Sequence, residues 1–136
     1  MKNYLKILFI LFFSIKGFSQ KDTIAKPKEV EQRKEAEYVS IISLIANPEK
    51  YDGKRIHVSG YMSAEFEGTA IYLSREDFDN NIYKNSVFLL IGKGDKYQFF
   101  HKEYVTLEGT FIIGGGHMSM FSGMIKDIDY IRKRKD

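Results

Sequence analysis

Arg55-Ile56-His57-Val58-Ser59-Gly60-Tyr61-Met62 and Tyr104-Val105-Thr106-Leu107-Glu108-Gly109-Thr110-Phe111 write one pattern twice. In each stretch apolar residues alternate with polar ones, and a glycine falls where the next inward side chain belongs. Glycine inside a strand gives up packing and entropy, so it marks a sharp bend, a bulge or a close backbone approach. Two such strands are what a small closed barrel needs.

The rest of the chain is arranged around these strands. Upstream, Tyr38, Ile41, Ile42 and Ile45 follow helical spacing, with Ser40 as N-cap if the helix starts late. Asn47-Pro48 ends that helix, and Pro48 to Gly53 reads as one further turn closed by glycine. On the first strand Ile56, Val58, Met62, Ala64 and Phe66 share one face, and His57, Ser59, Tyr61, Ser63 and Glu65 the other. Glu67-Gly68 turns the chain into Ala70–Ser74, giving a hairpin. A polar loop holding Asp79-Asn80-Asn81 follows, and Ser86 to Ile91 is a continuous apolar run suited to a buried third strand. Residues 92–103 place Tyr97, Phe99 and Phe100 among charges, the pattern of a short helix plugging a barrel end. Tyr104 to Ile113 is the fourth strand. After Gly114-Gly115-Gly116, Met120 to Ile131 supplies a fifth, in which the spacing of Ile125, Ile128 and Ile131 requires a bulge or a helical ending.

The expected fold is therefore mainly β: a small five-stranded OB-like Greek-key barrel with a short N-terminal helix and a helical insertion between strands three and four. Its domain runs from Tyr38 to Ile131. Before it, Gln20 to Glu37 is nearly all polar or charged and reads as a flexible spacer.

The first 19 residues read as a secretory signal peptide. Lys2 and Lys6 precede an apolar run from Ile7 to Phe13 that extends to Ile15, and Gly17-Phe18-Ser19 places small residues where cleavage before Gln20 needs them. The run is shorter than the roughly 20 apolar residues that cross a bilayer. The expected location is periplasmic or secreted, with no stable membrane span after cleavage. The chain has no cysteine, hence no lipoprotein attachment site and no disulfide framework.

Cleavage changes the electrostatic reading. The chain carries 21 Lys+Arg against 18 Asp+Glu, and three of those lysines, Lys2, Lys6 and Lys16, lie in the leader without an acid beside them. The remaining chain of about 117 residues is formally neutral. Its local excess sits in the tail of residues 132–136, where Arg132-Lys133-Arg134-Lys135 are consecutive.

The run Val39 to Lys54, the stretch Glu65 to Leu73 and the segment Gly116-His117-Met118-Ser119-Met120-Phe121-Ser122-Gly123 together resemble a family of small secreted bacterial proteins with no assigned activity. That resemblance spans Val39 to Ile131 and implies an OB-like fold. Similarity to nucleic-acid-binding OB domains is more distant and is one of fold, which does not imply function.

Three chemistries compete for the function. His117, Met118 and Met120 supply imidazole and thioether donors of the kind that hold Cu(I) or Ag(I), with Met118 and Met120 on one side of a strand. The segment is similar to the ligand sets of periplasmic copper-handling proteins with OB-like barrels, although those pair the site with a tryptophan and this chain has none. Methionine is also an ordinary core gap-filler, and the expectation is no cofactor. Single-stranded nucleic acid would need a basic groove lined with stacking rings. Tyr61 and Tyr72 point outward near His57 and Arg75, but Glu65, Glu67, Glu76 and Asp77 crowd the same region and disfavour a polyanion. Catalysis has no nucleophile-elbow motif, P-loop or paired-histidine metal spacing behind it. Glu65 and Glu67 stand two apart as an acid–base pair would, which is equally the arrangement of solvated edge charges. The chain thus reads as a non-catalytic binding module for a protein or cell-envelope partner. Its expected surface is the outer face of strands one and two with Tyr61, Glu65, Tyr72 and Arg75.

Overall fold

The computed structural model describes residues 35–92, 95–114 and 120–135. The expected leader, most of the expected spacer, His117 and Met118 lie outside the described residues. The chain opens with β1 (Glu37–Tyr38), α1 (Ile41–Ala46) and α2 (Pro48–Tyr51), followed by β2 (Arg55–Ser63) and β3 (Ala70–Tyr72). Next come α3 (Arg75–Asp79), a 3-10 turn (Tyr83–Asn85), β4 (Ser86–Leu89), a second 3-10 turn (Asp95–Phe100), β5 (Glu103–Ile112) and β6 (Met124–Lys133).

The sheet runs β1–β2–β3–β4–β6–β5, and β5 returns to pair with β2, closing a barrel of five strands. Only β4 and β6 run parallel within it. A meander of three strands, a crossover, and a last strand inserted between β4 and β5 is the OB-like Greek-key arrangement expected. Among the described residues, no helix is long and apolar enough to cross a membrane.

Closure rests on the twin glycine strands. They are antiparallel partners from Arg55↔Thr110 to Met62↔Glu103, and each glycine faces a core aliphatic residue: Ile56↔Gly109 and Gly60↔Val105. A Cβ on Gly60 would lie 2.5 Å from both Ile41 Cδ1 and the Tyr72 carbonyl oxygen. One on Gly109 would lie 2.6 Å from Ile125 Cγ2 and 2.8 Å from the Lys126 carbonyl oxygen. Close backbone approach is thus the reason for both glycines. Inside, Ile56, Val58, Met62, Ile71, Val87, Leu89, Val105, Leu107, Phe111 and Ile125 form the core, joined by Ile41 and Leu44 from α1 and Tyr97 from the second 3-10 turn.

Several local expectations are corrected. Tyr38 belongs to β1, paired in parallel with His57, because the helix starts late: the Ser40 hydroxyl accepts from the Ser43 N–H at 3.0 Å and caps it at Ile41. The buried stripe is Ile41 and Leu44, while Ile42 is exposed. Phe66 does not share the inner face of β2. The strand ends at Ser63, and the ring is 92% exposed on the following turn. The polar loop after β3 contains α3, capped by Ser74. The third strand stops at Leu89, leaving Leu90 exposed. The last strand continues through Arg132 and Lys133 and resolves its spacing as a bulge: the register with β5 shifts between Glu108 and Thr110, and Asp127 takes a φ of 52°.

The two close approaches make a direct test. Gly60→Ala and Gly109→Ala should each lower the free energy of unfolding by about 1–3 kcal/mol in urea denaturation. Gly92→Ala, whose added Cβ has nothing within 4 Å, should stay within about 1 kcal/mol of the parent.

Candidate functional site

OB barrels commonly take ligands on the outer face of their second and third strands with the adjoining loops. Here those strands are β3 and β4, next to β2. Tyr61 and Tyr72 are direct cross-strand partners, and both point outward because Met62 and Ile71 point in. Yet Tyr61 is only 5% exposed and Tyr72 only 3%. Residues 73–85 fold over them.

That cover is built by local polar bonds. Ser74 Oγ accepts from the Asp77 N–H at 3.1 Å and donates to Asp77 Oδ2 at 2.7 Å, and Asn85 Nδ2 donates to Asp77 Oδ1 at 2.7 Å. The buried Asp77 carboxylate therefore ties both ends of the segment together. Between them, Phe78 sits 5.7 Å from Tyr61 and 5.4 Å from Tyr72, ring centre to ring centre. Tyr104 meets Tyr61 edge-on at 5.2 Å, and Phe121 meets Tyr83 and Phe88 at 5.7 and 5.5 Å. The outer face is thus filled by the protein's own rings, in orientations that aromatic quadrupoles favour. Burial pushes the Tyr72 hydroxyl up to about 12, with Tyr83 and Glu65 adding to the shift. Burial also raises Tyr61, against the opposing field of Arg75. Arg75 stands on α3 with its side chain exposed, donating to Asp79 Oδ2 at 3.3 Å, while its backbone N–H donates to the Tyr104 hydroxyl at 3.2 Å.

Of the four expected ligand-binding residues, Glu65 lines an open depression. The β2–β3 turn is held by Gly68 N–H and Thr69 Oγ1 donating to the Glu65 carbonyl, at 3.2 and 3.0 Å. Glu67 takes a left-handed φ of 59°, and Phe66 stands at the apex. Beside the turn lies a cleft of about 320 Å³ whose apolar wall is Phe88, Leu90 and Ile91 and whose rim is Glu65, Glu67 and Gln98. Gln98 Nε2 donates to the Ala64 carbonyl at 2.6 Å, anchoring the second 3-10 turn to this end of β2. The Ala64 N–H donates to His101 Nδ1 at 3.0 Å, which places that ring's proton on Nε2.

A polar network on the outside of β2, β5 and β6 escaped the sequence reading. Glu108 lies 3.0 Å from His57 Nδ1 and 3.3 Å from Arg55 Nη2, and Arg55 also contacts Asp129. Burial opposes the Arg55 charge, but the Asp129 and Glu108 carboxylates outweigh it and hold the guanidinium above its ordinary value. The Tyr38 ring meets His57 at 4.2 Å between centres, tilted by 39°, which helps fasten β1. Ser59 Oγ bonds Thr106 Oγ1 at 2.7 Å, so this hydroxyl is engaged across the strand pair and not with the imidazole two residues away. The network joins β2, β5 and β6.

Of the soft-donor set, Met120 is described, in an exposed turn. Among the described residues no group of three or more His, Cys, Asp or Glu side chains is placed to hold a metal ion.

No family model matches this chain, and no curated protein does. Among solved structures it is similar to a putative aspartyl-tRNA synthetase from Leishmania major Friedlin, at 14% identity and a TM-score of 0.45, over 80% of this chain and 23% of that one. The chain spans under a quarter of that protein's length. At this level the likeness carries no functional argument, and the site has to be read from its own residues.

The covered face can be tested through Tyr72. The folded state holds this proton to about 12 against an ordinary 10.0, so between those values the folded protein binds more protons than the unfolded chain. Tyr72's contribution to stability is complete below that window and is lost as pH rises through it. Phenolate absorbance, assigned by difference from Tyr72→Phe, should show late ionisation of Tyr72. Phe78→Ala should bring it back toward the ordinary range.

Proposed function

We propose that this protein is an exported, non-catalytic OB-like module, akin to the small secreted bacterial proteins whose sequence blocks it resembles, which captures a protein partner at the β2–β3 turn. The observation that carries this reading is Phe66: a large ring left 92% exposed at the apex of a turn, beside a cleft with an apolar wall. Burying such a ring on a partner is worth roughly 1.5–3 kcal/mol. Exposed Leu90 extends the apolar centre, and Glu65 and Glu67 supply an acidic rim. An apolar anchor ringed by polar groups is the form that interaction hot spots take. The chemistry that fits is a peptide segment with a bulky apolar residue flanked by Lys or Arg.

Two facts favour this surface over the tyrosine face. Tyr61 and Tyr72 offer no ring face to a ligand while Phe78 covers them. The positive-φ turn at Glu67 holds a non-glycine residue in a conformation that costs of order 1–3 kcal/mol and is often kept where function needs it. The soft-metal reading has exposed Met120 behind it, and it stays the second hypothesis, with Cu(I) as its ion.

Selection from a displayed library of random peptides tests the proposal. Enriched peptides should pair a bulky apolar residue with basic neighbours, and Phe66→Ala should weaken them by about 10-fold or more. Paired Glu65→Lys and Glu67→Lys changes should select against the basic neighbours. A library that yields no binders, or binders indifferent to Phe66→Ala, contradicts the assignment.

A further inference from the structure

The turn that carries Phe66 hangs between two fastened residues. At its far end the Leu89 N–H donates to the Thr69 carbonyl at 2.9 Å. At its near end stands Ala64, just past the end of β2 and two residues past Met62, where the pairing with β5 stops at Glu103. Side chains replace the ladder there. The Ala64 carbonyl accepts from Gln98 Nε2 at 2.6 Å, and its N–H donates to His101 Nδ1 at 3.0 Å. The Lys102 N–H donates to the Met62 carbonyl at 2.8 Å, with Lys102 at a left-handed φ of 60°, and this fixes the backbone next to the imidazole. Because Ala64 is buried, an N–H that loses its acceptor stays unpaired until the turn moves.

The geometry points to His101 as a proton-operated latch on the β2–β3 turn, an inference that rests on the reading of that turn as the capture site. In the latched state Nδ1 keeps its lone pair for the Ala64 N–H, and the ring proton sits on Nε2. A further proton can only go to Nδ1, and the imidazolium then carries N–H on both nitrogens and accepts at neither. The latched turn and the protonated ring therefore exclude each other. Acid moves the population toward a released turn, and a partner that needs the latched turn opposes proton uptake to the same degree. The ring packed against the imidazole is Phe78, edge-on at 6.4 Å, and it bears no charge. Charged groups on the neighbouring elements have partners of their own. Lys102 Nζ lies 5.8 Å from the Phe78 ring centre, Glu103 is held by Lys133, Arg75 pairs with Asp79, and Asp77 is bonded by Ser74 and Asn85. Glu65, next after Ala64, stands on the cleft rim.

The test is an NMR titration of the full chain from about pH 8 to about pH 5, the range in which imidazoles charge, with hydrogen exchange of the Ala64 amide referred to its intrinsic rate. Protection of Ala64 should drop about fivefold on acidification, in step with the His101 ring signals. His101→Asn, whose side-chain oxygen takes the place of Nδ1 and accepts across this range, should flatten the response, and His57→Gln should keep it. Peptides selected on the Phe66 turn should bind about fivefold more weakly at the acid end, and equally at both ends to His101→Asn. An Ala64 profile that ignores pH, or one that His101→Asn leaves intact, overturns the latch. Peptides that hold equally at both ends while Ala64 responds overturn the control of capture and leave the Phe66 reading standing. A library with no binders contradicts the Phe66 reading instead, and the Ala64 profile still decides the latch.

Discussion

The antiparallel register of β2 with β5 is the constraint on which the other features depend. It sets Gly109 opposite Ile56 and Gly60 opposite Val105, so that each strand can pass close to a neighbour where a Cβ would collide with backbone oxygen. With those approaches made, the barrel closes, and the aliphatic residues of five strands share one core. The same register sets His57 beside Glu108 and Ser59 beside Thr106 on the outside, so one pairing builds the interior and also ties β1 and β6 to the outer face. A slip by one residue would exchange the two faces and undo both.

Closure also determines what is left for binding. An OB barrel offers its outer face, but residues 73–85 occupy that face with Phe78 and Tyr83 while Asp77 fastens the segment. The turn joining β2 to β3 keeps its ring exposed beside a cleft with an acidic rim.

Much of the architecture was legible because it rests on local patterns. Alternation and glycines gave the barrel strands, Ser40 marked a late helix start, and the isoleucine spacing announced the bulge in β6. Phe66 was misplaced because alternation continues past Ser63 in the letters, while the chain leaves the strand there. The helix at Arg75–Asp79 was missed because it is one turn long and lacks an apolar period. Its signal was present all the same: Ser74 followed by Asp77 three residues later is a capping pair before Phe78. Outward-pointing Tyr61 and Tyr72 could be placed on a face, but their burial depends on a segment folding back from ten or so residues away. The Arg55–His57–Glu108 network needed the register between two distant strands, which neither strand carries alone.

The central claim is that the tyrosine face is sealed and the β2–β3 turn is open. It is tested most directly by paramagnetic broadening of aromatic ring signals with a soluble gadolinium chelate. The account predicts strong broadening of Phe66 and sharp signals for Tyr61 and Tyr72. Tyrosine rings broadened as strongly as Phe66 would contradict it, because the outer face would then be open to solvent and to ligands.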